Sequence, residues 1–313
     1  MKRLGIGMHS YGFAWKRGEP FHDALTFLEY AHSIGAGGVQ VTIGQRDAAY
    51  TRNLRERCET WDIFLEAQAS LPADETVVSR FTAEVESAKA AGATIIRTAM
   101  LGGRRYETFN TAADFEAFRA RSWKSLTLAE PIAKKHGVRI AIENHKDWLI
   151  PEFLDMLRQI SSEYVGICVD TGNSIALLED PMAVIEAYAP FAFSTHIKDM
   201  GVTEYEHGFL LSEVPLGAGF LDLSRIIKII ERANPKIRWN LEMITRDPLE
   251  IPYLTDKYWP TLKTLPARQL AECVGMVRAH QQKLPRVSQL SEAEKLKAED
   301  DNVRQSLAAF AKL

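Results

Sequence analysis

Four residues at the ends of apolar runs carry the chemistry of this chain: Glu143 in IAIENHKD, Asp170 in ICVDTGN, His196 in FSTHIKD and Glu242 in NLEMITRD. Asp170 follows Glu143 by 27 residues, His196 follows Asp170 by 26, and Glu242 follows His196 by 46. Each is a polar residue closing a run of apolar ones, a position where a charge must be paired or bind a cation. Three carboxylates and an imidazole suit a divalent ion. The oxygen-rich set favours Mn²⁺ or Mg²⁺, with Co²⁺ or Zn²⁺ as alternatives. An ion held there would polarise a substrate carbonyl and stabilise the enediolate formed when the neighbouring C–H loses its proton. A carboxylate at the ion is placed to take that proton and return it.

Those spacings require elements that repeat. Short apolar runs alternate with amphipathic stretches from the start to about residue 245. The predicted strands are Leu4–His9, Gly38–Ile43, Ile63–Ala69, Thr94–Met100, Val138–Glu143, Val165–Asp170, Ala192–Lys198 and Arg238–Met243. Helical spacing lies between them, as in Phe21, Leu25, Leu28 and in Phe81, Val85, Ala88. Gly35, Gly92 and Gly137 stand where helices should stop before strands. Eight strands with helical crossovers predict a (β/α)8 TIM barrel whose catalytic groups gather at the C-terminal strand ends. An open doubly wound sheet is disfavoured because LGIGMHS lacks the GxGxxG phosphate fingerprint. The longer third interval holds an extra loop, GVTEYEHGFLLSEVPLGAGFLDL.

Beyond residue 245 the pattern changes. Arg246–Pro266, rich in proline and aromatics, predicts an irregular cap. Residues 267–313 read as helical, with a stripe at Leu270, Val274 and Val277 and then the charged stretch SEAEKLKAEDDNVRQ. The expected organisation is a catalytic barrel over residues 1–266 and a helical extension over 267–313, packed on the barrel or on a neighbouring subunit in a homo-oligomer.

The motifs IENH, VDTGN, THIKD, LGAGFLDL and LEM resemble the xylose isomerase-like barrel superfamily, over about residues 4–245. That superfamily includes sugar isomerases, ketose 3-epimerases, inosose dehydratases and endonuclease IV-type nucleases. The resemblance implies that Glu143, Asp170, His196 and Glu242 ligate the metal, and that in an epimerase the two glutamates also move protons on opposite faces of the substrate. Two positions depart from the ketose epimerase pattern: Asn173 replaces a histidine three residues after the aspartate ligand, and Val202 replaces an arginine.

Strand parity brings further residues toward the barrel axis. His145 shares it with Glu143 and Lys198 with His196, giving two cations for a substrate hydroxyl, carboxylate or phosphate; the alternative is a lysine paired with Asp199 or Glu242. Catalytic roles are therefore assigned to Glu143, Glu242, His145 and Lys198. Substrate contacts are assigned to His9, Gln40, Gln68, Arg97 and Asn173; for Gln40, Gln68 and Arg97 the alternative is inter-strand hydrogen bonding inside the barrel. Tyr11, Phe13 and Trp15 are expected as an apolar wall or as core, and Glu204 and His207 as lid residues. His22, His32, His136 and His280 are expected at the surface or in packing.

The leading expectation is an isomerase or epimerase of a sugar or sugar acid. Its rival is a lyase, either a decarboxylase of a 3-oxo sugar acid or a dehydratase of a keto-polyol. A nuclease would need many more histidines than His9, His145 and His196. The formal net charge of −3 also gives no reason to expect nucleic acid. A non-catalytic binding barrel is the alternative of a different class. Cys58, Cys168 and Cys273 are few, odd in number and far apart, which fits a reduced compartment and makes no CxxC site. MKRLGIGMHSYGFAW has two basic residues but no long apolar run, so it reads as a first strand rather than a signal peptide. No run approaches a membrane span, and a cytoplasmic enzyme is expected.

Overall fold

Apolar runs that must be buried on both faces favour parallel strands covered by helices. The computed structural model, which describes residues 3–18 and 20–313, has that arrangement. Lys2, one of the two basic residues of the first segment, lies outside the described residues. The strands are β1 (Leu4–Gly7), β2 (Gly38–Thr42), β3 (Phe64–Gln68), β4 (Ile95–Thr98), β5 (Arg139–Glu143), β6 (Val165–Asp170), β7 (Ala192–His196), β8 (Asp199–Tyr205), β9 (Gly208–Val214), β10 (Trp239–Leu241) and β11 (Leu249–Ile251). Eight of them pair in parallel in the order β10-β1-β2-β3-β4-β5-β6-β7. The ring is completed where Ile197 bridges Leu241 and its N–H donates to Asn240 O at 2.8 Å. The chain forms a (β/α)8 TIM barrel.

Helices cover the strands because each presents an apolar stripe. Leu223–Ala233 buries Leu223, Ile226, Ile227 and Ile230, a spacing of three and four residues that lines one face. Its start is fixed by Asp222, which accepts the Arg225 N–H. Gly35, Gly92 and Gly137 take φ of +82°, +94° and +62°, the left-handed stops expected before β2, β4 and β5.

Several element ends differ from the sequence reading. β1 stops at Gly7, and His9 falls in a 3-10 turn, Met8–Tyr11. β4 and β10 are also shorter than expected, so Glu242 stands just past its strand. The extra loop after β7 is an antiparallel hairpin, β8 and β9, and the expected irregular cap contributes β11 to its other edge. Asp199 pins the return of this hairpin by accepting the N–H groups of Gly217, Gly219 and Leu221 at 2.9, 3.0 and 3.1 Å. A Cβ on Gly219 would stand 2.2 Å from Asp199 Oδ1, so the loop can wrap the carboxylate only with glycine there.

The C-terminal helices share the same buried apolar cluster through Cys273, Val277, Val303 and Phe310. In Glu292–Phe310, Glu299 accepts the N–H groups of Phe13 and Ala14 at 2.7 and 2.9 Å, and Ser306 Oγ accepts the Leu216 N–H at 3.2 Å. This helix therefore ties together loops at two neighbouring parts of the barrel mouth. No helix among the described residues is long and apolar enough to cross a membrane.

Candidate metal centre

The ends of β5, β6, β7 and β10 converge, and ligand atoms from Glu143, Asp170, His196 and Glu242 all lie within 4.8 Å of one another. The four side chains are almost wholly buried. His196 Nδ1 stands 3.3 Å from Glu143 Oε2, 3.4 Å from Glu242 Oε1 and 3.9 Å from Asp170 Oδ2. It has no hydrogen-bond partner. A buried ring nitrogen left without a partner at the centre of three carboxylates is the arrangement a cation completes. The donor set fits a divalent ion.

Fixed groups hold each ligand. Asp170 Oδ1 accepts the N–H groups of Gly172 and Asn173 at 2.9 and 2.7 Å, which turns Oδ2 toward the centre. Glu143 Oε1 accepts from Asn173 Nδ2 at 2.9 Å, while Oε2 pairs with Arg97. Lys198 Nζ lies 2.6 Å from Glu242 Oε2 and 2.8 Å from Asp170 Oδ2. Burial alone would raise both glutamates. Arg97 and His196 outweigh it at Glu143, and Lys198 and His196 at Glu242, so both carboxyls lie below their ordinary range.

Of the expected substrate contacts, His9, Gln68 and Arg97 line one cavity of about 750 Å³ that opens beside the centre. His9 is half-buried, and burial lowers its pKa. Gln68 donates to Thr42 Oγ1 at 3.1 Å. Asn173 is buried, between Glu143 and the two lysines 146 and 198. Gln40 is not on the cavity: it lies inside the barrel, with Oε1 2.7 Å from His196 Nε2.

Other expectations change. His145 does not supply a cation: burial and then Lys146 push its pKa to about 3, and its ring Nδ1 lies 3.1 Å from Gly103 O. Lys198 takes the pairing with Glu242 rather than with Asp199. Tyr11 turns into an aromatic cluster with Phe21, Phe27 and Tyr30, and its hydroxyl donates to Asp300 at 3.0 Å. Trp15 is exposed. Glu204 and His207 are exposed near the hairpin tip, where Glu204 pairs with Arg278 at 2.8 Å. The four remaining histidines keep the surface and packing places expected of them: His32 stacks on Trp61 and His280 on Phe220, while His22 is exposed and His136 half-buried.

Three functional candidates were not read from the sequence. Lys146 is buried and donates to Asn173 Oδ1. Glu213 of β9 pairs with Arg246 at 2.6 Å and stands 3.8 Å from Lys198 Nζ. Strand parity sends Lys146 away from the axis, but the chain turns directly after β5, where the His145 N–H donates to Glu143 O at 2.9 Å. Alternation therefore fails one residue past Glu143. Glu213 and Arg246 come near only through the hairpin.

The chain is 26% identical over 236 residues to a 3-oxo-isoapionate decarboxylase of Pectobacterium atrosepticum, covering 72% of this chain and 81% of that protein. In solved structures the fold is similar to a xylose isomerase-like TIM barrel protein from Mycobacterium smegmatis in complex with magnesium. That likeness has a TM-score of 0.59 at 14% identity, over 88% of this chain and 98% of the other. It is also similar to a D-psicose 3-epimerase crystallised in the presence of D-fructose, with a TM-score of 0.58 at 15% identity, over 88% and 97%. The family model described as xylose isomerase-like TIM barrel matches residues 28–261, and the chain belongs to that family.

Proposed function

We propose that the chain is a divalent-metal-dependent lyase that removes CO₂ from a small 3-oxo sugar acid. The observation that carries this reading is the set of cationic side chains, Arg97, Lys146, Lys198 and Arg246, built into one largely buried network with the four carboxylates of Glu143, Asp170, Glu213 and Glu242. Epimerisation asks two glutamates to pass a proton on opposite faces of the substrate. Here Glu143 is held by Arg97 and Asn173, and Glu242 by Lys198. Both carboxyls sit below their ordinary range and are poor bases.

Decarboxylation makes a different demand. The C–C bond to the carboxylate breaks, its electron pair moves onto the neighbouring carbonyl oxygen, CO₂ departs, and a proton then adds to the carbon. Glu143, Asp170, His196 and Glu242 would hold a divalent ion, which would supply Lewis acidity for that oxygen. Arg97, whose side chain also lines the cavity, orients the anionic substrate. Lys146 holds the proton: burial, then Lys198 and Arg246, push its ammonium down to about 8. That is the range in which a lysine gives up a proton near neutral pH. No carboxylate among the described residues forms an ion pair with it, so the proton is not held by a counter-charge. His9 and Gln68 face the same cavity and suit contacts to substrate hydroxyls. The Pectobacterium relative supports the reading, because its reaction is the loss of CO₂ from a 3-oxo acid.

The test is a ¹³C-NMR time course with Mn²⁺-loaded enzyme in D₂O, run against carboxyl-labelled 3-oxo sugar acids and against keto-sugars. Release of labelled CO₂, with one deuteron in the product, is expected. Deuterium exchange into keto-sugars without loss of carbon would instead establish isomerase chemistry.

A further inference from the structure

The interior of a TIM barrel is normally filled by branched apolar residues. Directly beneath the metal ligands this barrel instead has four fully buried polar side chains: Gln40 on β2, Glu66 on β3, Ser194 on β7 and Asn240 on β10. Unpartnered, they would destabilise the fold. They converge on one atom. Glu66 Oε2 accepts from Gln40 Nε2 at 3.1 Å, from Asn240 Nδ2 at 2.9 Å and from Ser194 Oγ at 2.5 Å.

This convergence fixes which way the Gln40 amide points. Its NH₂ group is committed to Glu66, and to Ser194 Oγ at 3.3 Å, so its carbonyl oxygen must face the other way. That oxygen lies 2.7 Å from His196 Nε2. Only a protonated Nε2 can donate to it, which leaves the His196 Nδ1 lone pair for an ion. Nδ1 is the ring atom that faces the three carboxylates and lacks a partner.

We infer that Glu66 and Gln40 form a buried carboxylate–amide relay that fixes the tautomer and ring orientation of His196 for metal binding. Both are positioning residues; neither touches the cavity. The relay rests on the metal centre described above, and its test separates the two.

Wild-type protein is loaded with diamagnetic Mg²⁺, and the His196 ring is read by long-range ¹H–¹⁵N correlation. A proton on Nε2 is expected, and a proton on Nδ1 overturns the relay. Mn²⁺ affinity is then measured by calorimetry for the wild type, Gln40→Leu, Glu66→Gln and Asn240→Ala. Gln40→Leu is expected to weaken binding about 10–100-fold, the usual effect of losing an outer hydrogen bond on a ligating histidine. Glu66→Gln, close in shape, is expected to weaken it by a smaller factor because the amide can then flip. Asn240→Ala touches Glu66 but not Gln40 or His196, and is expected to lower thermal stability while leaving affinity near the wild-type value. Wild-type affinity in a folded Gln40→Leu or Glu66→Gln protein overturns the relay. Absence of binding in the wild type overturns the metal centre itself.

Discussion

Lys198 Nζ lies 2.6 Å from Glu242 Oε2, so the carboxylate that an epimerase would use as a base is already neutralised by a lysine from the neighbouring strand end. Glu143 stands in the same relation to Arg97. Each glutamate remains a good ligand, because an ionised carboxylate is what a cation needs. Neither is a good acceptor for a substrate proton. Lys146 donates to Asn173 and forms no ion pair with a carboxylate among the described residues, and its buried ammonium holds the proton that the proposed reaction must deliver.

Replacing Lys146 by methionine is expected to lower kcat by about 10²–10⁴-fold, the range for loss of a general acid, without weakening Mn²⁺ binding. The wild-type rate is expected to be level below the Lys146 pKa of about 8 and to fall above it as the ammonium loses its proton. A pH–rate profile of Lys146→Met that still shows this falling limb would assign the proton to another group.

Glu179 offers a stability test away from the chemistry. Burial pushes its carboxyl up to about 8, although the Ile150 N–H donates to it at 2.8 Å. The folded state therefore holds this proton more tightly than the unfolded chain. Its contribution is complete below the ordinary glutamate range and is lost as pH rises toward about 8. Glu179→Gln removes that loss. The variant's stability relative to wild type is expected to rise by about 3 kcal/mol between pH 5 and pH 8, read by urea unfolding at each pH. A pH-independent difference would mean that the group is ionised throughout.

The helix Glu292–Phe310 holds the approach to the cavity through Glu299, whose two oxygens accept the Phe13 and Ala14 N–H groups. Glu299→Ala leaves those donors unmet and is expected to destabilise the fold by about 1–3 kcal/mol. Because His9 stands on the turn just before them, KM should rise with kcat less affected. Steady-state kinetics beside chemical denaturation checks both effects, and an unchanged KM would uncouple this helix from the cavity.

Much of this was legible in the sequence because parallel strands leave clear apolar runs. β6 matched its predicted span, Val165–Asp170, residue for residue. The convergence of Glu143, Asp170, His196 and Glu242 was legible for the same reason, each standing at the end of a buried run. Legibility ended where the chain left regular strand geometry. His9 entered a 3-10 turn, His145 and Lys146 followed a turn that broke alternation, and β8 and β9 formed a hairpin that carried Glu213 to Lys198. Gln40 takes the other of its two expected places, hydrogen bonding between strands inside the barrel, because depth along the barrel axis is set by strand stagger, which puts it beneath His196 instead of in the cavity.

The most direct test of the account is a calorimetric Mn²⁺ titration of chelator-stripped protein, wild type beside Glu143→Gln. One ion per chain is expected in the wild type, with at least a tenfold loss of affinity in the variant, since removal of a ligand exceeds the effect of an outer partner. A wild-type protein that binds no divalent ion, or a folded variant that binds it equally well, would contradict the assignment of Glu143, Asp170, His196 and Glu242 as the metal centre.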